Sequence, residues 1–122
     1  MKVINTPDAP KAIGPYSQAV IANGLLFTSG QIAINPKTNQ IEATAIEEQT
    51  KQVMENLKAL LAASNASFDK VVKTTIFLKD MNTFGTVNAI YGSYFANHKP
   101  ARSTVEVARL PKDVLIEIDL IA

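Results

Sequence analysis

The chain has 122 residues with twelve basic and eleven acidic side chains, a formal net charge of +1, no cysteine and one histidine, His98. These counts exclude a disulfide framework, a thiolate nucleophile, a thiolate metal site and any centre built from several imidazoles, and they leave no electrostatic footprint for nucleic acid or an anionic membrane. One layered core is expected at this length, a single domain over residues 1–122. Neither a signal core in MKVINTPDAP nor an apolar run near the ~18 residues of a membrane span is found, so a soluble cytoplasmic protein is expected.

Charged residues make up 19% of the chain, below the ~25% usual for soluble domains, so apolar surface is left over for a partner. In chain order, Ser17 to Ala22 (SQAVIA) reads as a strand, and Asn23-Gly24 is a strong two-residue hairpin signal because both positions tolerate positive φ. The return strand runs from Leu25 to Ile34, with Gly30 marking a bulge or a close approach. After the turn residues Asn35-Pro36 and Thr38-Asn39, Thr44 and Glu47 form a T-x-x-E capping box for a helix over about residues 45–64, whose apolar face is Ile46, Val53, Leu57, Leu60 and Leu61. Val71 to Leu78 is β-branched and aromatic, hence a strand. Asn82 can cap a second helix with Phe84, Val87, Tyr91 and Tyr94 on one face, ending before Pro100. Strands Arg102 to Val107 and Val114 to Ile121 close a β-β-α-β-α-β-β order, which a short strand at Lys2 to Asn5 can precede. The class is α+β, a sheet with two helices on one face.

In the last strand Val114, Ile116, Ile118 and Leu120 point toward the helices, and Leu115, Glu117, Asp119 and Ile121 point away. That second set is neither apolar nor cleanly polar, which suits an oligomer interface with a polar site embedded in it.

Arginine is scarce, with only Arg102 and Arg109. Arg102 shares a strand face with Thr104 and Glu106, but Glu106 is four residues along, about 13 Å at the usual rise, too far for an ion pair. Its fork suits bidentate binding of a carboxylate; the alternative is a solvated strand-end arginine. Glu117, between Ile116 and Ile118, sits where an ionised carboxylate is costly. It can hold or deprotonate a water with a raised pKa, or serve as half of an ion pair across a subunit boundary. Ser29 lacks a base within reach, since His98 lies in the polar loop Asn97 to Pro100 and reads as solvated. Gly30 offers a bare backbone N–H that a ligand carboxylate can approach. Tyr16 can supply a hydroxyl from a loop or merely pack, and Asn88 can be a plain exposed position on the second helix. No Walker, GxGxxG, HExxH or EF-hand spacing supports a nucleotide or metal site.

The blocks IGPYSQAV (Ile13 to Val20), TSGQIA (Thr28 to Ala33), PARSTVEVARLP (Pro100 to Pro111) and the terminal VLIEIDLIA resemble, end to end, the RidA or YjgF family of reactive-intermediate deaminases. The resemblance implies a chorismate-mutase-like α+β protomer, a mixed sheet carrying two helices on one side, and a homotrimer with sites between neighbours. It also implies that Arg102 and the Gly30 N–H hold a ligand carboxylate, that Glu117 holds a water at the imine carbon, that Tyr16 closes the cleft from a neighbouring subunit, and that Ser29 and Asn88 line it. The implied substrates are enamines and imines such as 2-aminoacrylate, released by pyridoxal-phosphate-dependent dehydratases and hydrolysed to 2-keto acids and ammonia with no metal or cofactor. Many family members carry cysteine where this chain has Thr104, whose hydroxyl could still bond the water. The alternative is a trimeric 2-keto-acid-binding or regulatory protein without turnover. Chorismate mutase chemistry on the same fold would require more cations than two arginines provide.

Overall fold

In the computed structural model, which describes residues 1–122, the chain opens with strand β1 (Lys2–Ile4), antiparallel to β2 (Ala19–Ala22). Asn23 and Gly24 have φ of 52° and 77°. This is the primed turn whose twist matches a hairpin, and it returns the chain into β3 (Leu25–Thr28). Beyond Thr28 the expected long strand breaks off, and a single bridge from Gln31 to Ile118 continues it. Helix α1 (Ile46–Ala63), strand β4 (Lys73–Leu78), helix α2 (Phe84–Ser93), strand β5 (Ala101–Glu106) and strand β6 (Ile116–Ile121) follow.

The six strands form one sheet in the order β1-β2-β3-β6-β4-β5. Every neighbouring pair is antiparallel except β4 and β5, so the sheet is mixed. The connection from β4 through α2 to β5 joins parallel neighbours, as a crossover helix must. The β3-α1-β4 connection also joins parallel strands, with β6 inserted between them. β5 pairs only with β4 and is therefore an edge.

Both helices bury one face. Val53, Met54, Leu57 and Leu61 of α1 and Val87 and Tyr91 of α2 meet Ile76 and Leu78 of β4 and Ile116, Ile118 and Leu120 of β6. Each large aliphatic side chain buried there contributes about 1.5–3 kcal/mol relative to exposure, so this layer dominates the stability of the protomer. The other sheet face is open. The registers place Val3, Val20, Phe27 and Ile121 in one row across it, with Leu25, Phe77 and Val105 beside them. Val3, Leu25, Phe27 and Val105 are 38–56% exposed.

Two helix starts differ from expectation. The residue before α1 is Ala45, in extended backbone and without a side-chain cap. Thr44 does not cap it; instead the Gln49 amide donates to the Ala43 carbonyl at 3.1 Å, and Glu47 and Glu48 sit in the first turn, where negative charge favours the helix dipole. Ahead of α2 a 3₁₀ turn, Met81–Thr83, is capped by Asp80, whose carboxylate accepts from the Asn82 N–H at 2.9 Å. Asn82 is the capped residue and not the cap. No helix is long and apolar enough to cross a membrane.

Candidate active site

Buried amides fix the loops that carry the candidate residues. Gln18, 3% exposed, accepts from the Thr6 N–H and donates to the carbonyls of Thr6, Ala9 and Pro10, pinning the arm before Tyr16. Asn56 donates to the carbonyls of Ile32 and Ile34, which holds the segment after Gly30 against α1. Gln49 accepts from the Leu115 N–H at 2.9 Å and so sets the entry to β6. A buried amide left unpaired would cost a few kcal/mol, so these bonds hold the loops in one place.

On the helix side of the sheet lies Arg102. The register pairs it with Thr74 of β4, whose side chain is in the core. Thr74 Oγ1 and the Tyr91 hydroxyl are 2.8 Å apart, which fixes the Tyr91 ring. The Arg102 guanidinium sits 5.0 Å from the Tyr91 ring centroid and 5.2 Å from that of Phe84, within cation–π range. Its Nη1 donates to Asn88 Oδ1 at 2.7 Å. Asn88 is therefore not a plain surface position: it orients the guanidinium through a neutral acceptor and leaves its charge unspent. The single ion pair of the protomer, Arg109 with Asp113 at 2.9 Å, lies elsewhere. Burial pushes the Tyr91 hydroxyl pKa up, against its bond to Thr74 and the Arg102 charge. A cleft of about 460 Å³ opens here, lined by Arg102, Asn88, Tyr91, Phe95, His98 and Lys99 among others. His98 is not a free loop residue; its Nε2 lies 2.6 Å from the Val71 carbonyl, which clamps the loop before β5 to the start of β4.

Glu117 lies on the open face, paired with Phe77 of β4. Burial raises its pKa above the ordinary carboxylate value, and the negative charge of Asp119 two residues on adds to the rise. Asp119 is raised too, chiefly by burial, with Thr75 and Lys73 pulling the other way. Gly30 packs against the Glu117 carboxylate so closely that a Cβ there would stand 2.7 Å from Glu117 Cδ. Any larger residue there would push the Glu117 carboxylate aside. The Gly30 N–H makes no backbone hydrogen bond, whereas its neighbours Ser29 and Gln31 donate to Gln18 and Ile118. The Ser29 hydroxyl donates to the Ser17 carbonyl at 2.6 Å, tying the Tyr16 loop to the Gly30 turn. Tyr16, 52% exposed, completes the wall of a cleft of about 410 Å³ that holds Ser29, Gly30, Glu117 and Lys112.

The candidates thus form two groups: Arg102 with Asn88, and Tyr16, Ser29 and Gly30 with Glu117. Thr104 joins neither. It lies on the helix side of β5, paired with Ile76, and its hydroxyl is buried with no hydrogen-bond partner in the protomer. Phe84, Tyr91 and Lys112 were not among the sequence candidates. The aromatic pair was readable only as a core stripe, and no sequence signal marked Lys112. No three His, Cys, Asp or Glu side chains converge to hold a metal ion.

A RutC family protein of Synechocystis is 58% identical over 124 residues, covering 100% of this chain and 95% of the relative. The 2-iminobutanoate/2-iminopropanoate deaminase of Escherichia coli K12 is 51% identical over 124 residues, covering 99% of this chain and 96% of the relative. The solved structure of YyfA, a Rid-family protein of unknown function from Yersinia pestis, superposes with a TM-score of 0.97 at 52% identity, covering 99% of this chain and 97% of the other. The profile of the family described as Endoribonuclease L-PSP matches residues 6–122, and with these relatives it establishes that the chain belongs to the RidA/YjgF family.

Proposed function

We propose that this protein is a 2-iminobutanoate/2-iminopropanoate deaminase that works as a homotrimer with its sites between subunits. The observation that carries the reading is a guanidinium with no carboxylate partner, oriented by Asn88 and two aromatic rings, in a chain 51% identical to a relative of that name. A fork so held is ready for the carboxylate of a 2-imino acid. The free N–H of Gly30 beside Glu117 offers a second donor, and Glu117, whose proton affinity burial and Asp119 raise, is suited to take and return a proton.

The reaction needs little more. Glu117 accepts a proton from water as its oxygen adds to C2 of the imine, and a carbinolamine forms. The same carboxyl returns that proton to the nitrogen; the carboxylate then takes the hydroxyl proton as the C=O bond forms and hands it to the nitrogen as the C–N bond breaks, so ammonia leaves and Glu117 ends unprotonated. One water is consumed per 2-keto acid and ammonia released. The imine carbon is already electrophilic, so orientation and proton transfer are the main tasks left to the protein.

Arg102 lies on the helix side and Glu117 on the open side of the sheet, so one small substrate reaches both only where the cleft of one subunit meets that of the next. The exposed apolar row on the open face suits such contact. The family description names an endoribonuclease; a chain of net charge +1 has no basic tract for a phosphodiester backbone, so RNA serves as the control substrate. The test is to add the purified protein to a threonine dehydratase reaction and follow imine decay with semicarbazide as trap. Wild type accelerates decay and Arg102→Ala does not. Equal decay overturns the reading, and tight binding of 2-ketobutyrate without turnover replaces it with a ligand-binding protein.

A further inference from the structure

The loop between β5 and β6 carries the only two consecutive non-glycine residues of positive φ in the chain. Lys112 and Asp113 both have φ of 55°, consecutive residues in the left-handed region with neither glycine nor asparagine to ease it. Such a conformation costs free energy at each position and persists where surrounding structure imposes it. Here two contacts close the turn. Arg109 Nε donates to Asp113 Oδ1 at 2.9 Å and Nη2 to Oδ2 at 3.4 Å, and the Asp113 N–H donates to the Leu110 carbonyl at 3.1 Å. The fork of Arg109 thus closes the loop over its own tip. The result of the left-handed turn is that Lys112 lines the cleft that holds Glu117, Gly30, Ser29 and Tyr16.

That cleft has an electrostatic problem. Under the deaminase reading it must admit an anion, the carboxylate of a 2-imino acid, to the neighbourhood of another carboxylate, Glu117, with Asp119 two residues away on the same face. Two negative charges disfavour the approach of a third. Within the protomer Arg102 opens onto the other face of the sheet and reaches this cleft only from the next subunit, and a net charge of +1 adds little general attraction. The cations that line the cleft are Lys11 and Lys112, and of these only Lys112 is carried on a backbone held in a costly conformation.

We propose that Lys112 is a further substrate-binding residue, its ammonium making the Glu117 cleft attractive to the substrate carboxylate, and that the strained turn clamped by Arg109 and Asp113 serves to present it there. The inference rests on the deaminase reading and assigns Lys112 to binding, with no part in the proton transfers of Glu117.

The test compares wild type with Lys112→Gln, Lys112→Arg and Lys112→Gly in the trapped-imine assay, at low and high salt, alongside thermal melting. Lys112→Gln raises KM about three- to tenfold at low salt with kcat within about twofold, and its kcat/KM depends less on salt than that of wild type, because the lost interaction is a screened charge. Lys112→Arg restores most of the affinity. Lys112→Gly loses the same affinity as Lys112→Gln yet melts no lower than wild type, since glycine takes a positive φ without a Cβ penalty. A purely structural lysine predicts the opposite pattern, with Gln and Gly variants of wild-type KM. That pattern, or an unchanged salt dependence in Lys112→Gln, overturns the proposal while leaving the deaminase reading intact. A wild type without imine hydrolysis overturns both.

Discussion

Arg102 and Glu117 stand on opposite faces of one sheet. Arg102 is level with Thr74, and Thr74 with Leu120, three residues from Glu117 along β6. Two strand spacings sideways and three residues along leave the two backbones about 14 Å apart, with the side chains pointing away from each other. Within a protomer, therefore, the charge that would hold a substrate and the carboxylate that would act on it serve different clefts, and each can be tested separately.

The Arg102 side rests on geometry, so its variants should grade by how much geometry they remove. Arg102→Lys keeps the charge but loses the planar fork and the stacking on Tyr91 and Phe84; kcat/KM is expected to fall by roughly two orders of magnitude. Asn88→Ala keeps the fork and removes only the acceptor that orients it. A milder loss of roughly tenfold is expected, seen in KM more than in kcat, consistent with one hydrogen bond to a charged group at an exposed site. Steady-state kinetics of the two variants against wild type checks the order; an Asn88 variant as impaired as Arg102→Lys contradicts it.

Glu117 makes a pH prediction whose sign follows from the direction of its shift. A carboxyl whose folded pKa is raised binds its proton more tightly in the native state, so its contribution to stability is full below the ordinary value of 4.5 and is lost as pH rises through the raised folded value. Glu117→Gln removes that loss. The variant is expected to melt higher than wild type at pH 7–8, with the gap closing toward pH 4, while its imine hydrolysis drops by roughly 100-fold or more for want of a proton carrier. Asp119 carries the same sign and remains in the variant, so some acid-side stabilisation persists. Melting curves across pH, paired with the trapped-imine assay, check both halves.

Thr104 gives a prediction in the other direction. Its buried, unpartnered hydroxyl costs the free energy of desolvation with no bond in return. Thr104→Val, nearly the same shape without the hydroxyl, should stabilise the protein by about 1 kcal/mol, roughly 3–5 °C in Tm at matched protein concentration. Turnover should stay within about twofold of wild type. A large loss of activity would return Thr104 to the site and show that its hydroxyl reaches the substrate or its water.

Much of this was legible from residue pattern because it depends on neighbours in sequence. The Asn23-Gly24 turn, the buried face of α1 and the alternation of β6 each follow from local periodicity, and each is found. The helix starts were less legible: Thr44 and Asn82 have the right chemistry to cap, but α1 begins without a side-chain cap, and Asp80 rather than Asn82 caps the turn that leads into α2. Long-range register was not legible at all. Alternation says that Arg102, Thr104 and Glu106 share a face, but only pairing with Thr74 says that it is the helix face. His98 looked solvated because its partner, the Val71 carbonyl, is 27 residues away. Lys112 was invisible because nothing in Pro-Lys-Asp announces two left-handed residues, and the Arg109 fork that meets Asp113 across the turn is seen only in the structure.

The opposed placement of Arg102 and Glu117 makes its sharpest prediction about mixed assemblies. If each site takes Arg102 from one subunit and Glu117 from the next, Arg102→Ala and Glu117→Gln trimers are both inactive, yet a mixed trimer contains one interface where an intact arginine meets an intact glutamate. Random co-assembly of equal amounts should then recover about a quarter of wild-type activity: three quarters of the trimers are mixed, and one site in three is intact in each. If the site lay within a single protomer, no mixture would recover anything, because every subunit lacks one of the two groups. Co-refolding the two variants, with sedimentation to confirm that the mass is three times the protomer's 13.2 kDa, distinguishes the cases. Phe27→Glu supplies the companion arm. It places a charge in the exposed apolar row of the open face while leaving both clefts' residues in place, and it should yield folded, monomeric and inactive protein. Activity in a species of protomer mass would show that the two faces of one sheet can serve one substrate, and the shared-site reading would fall.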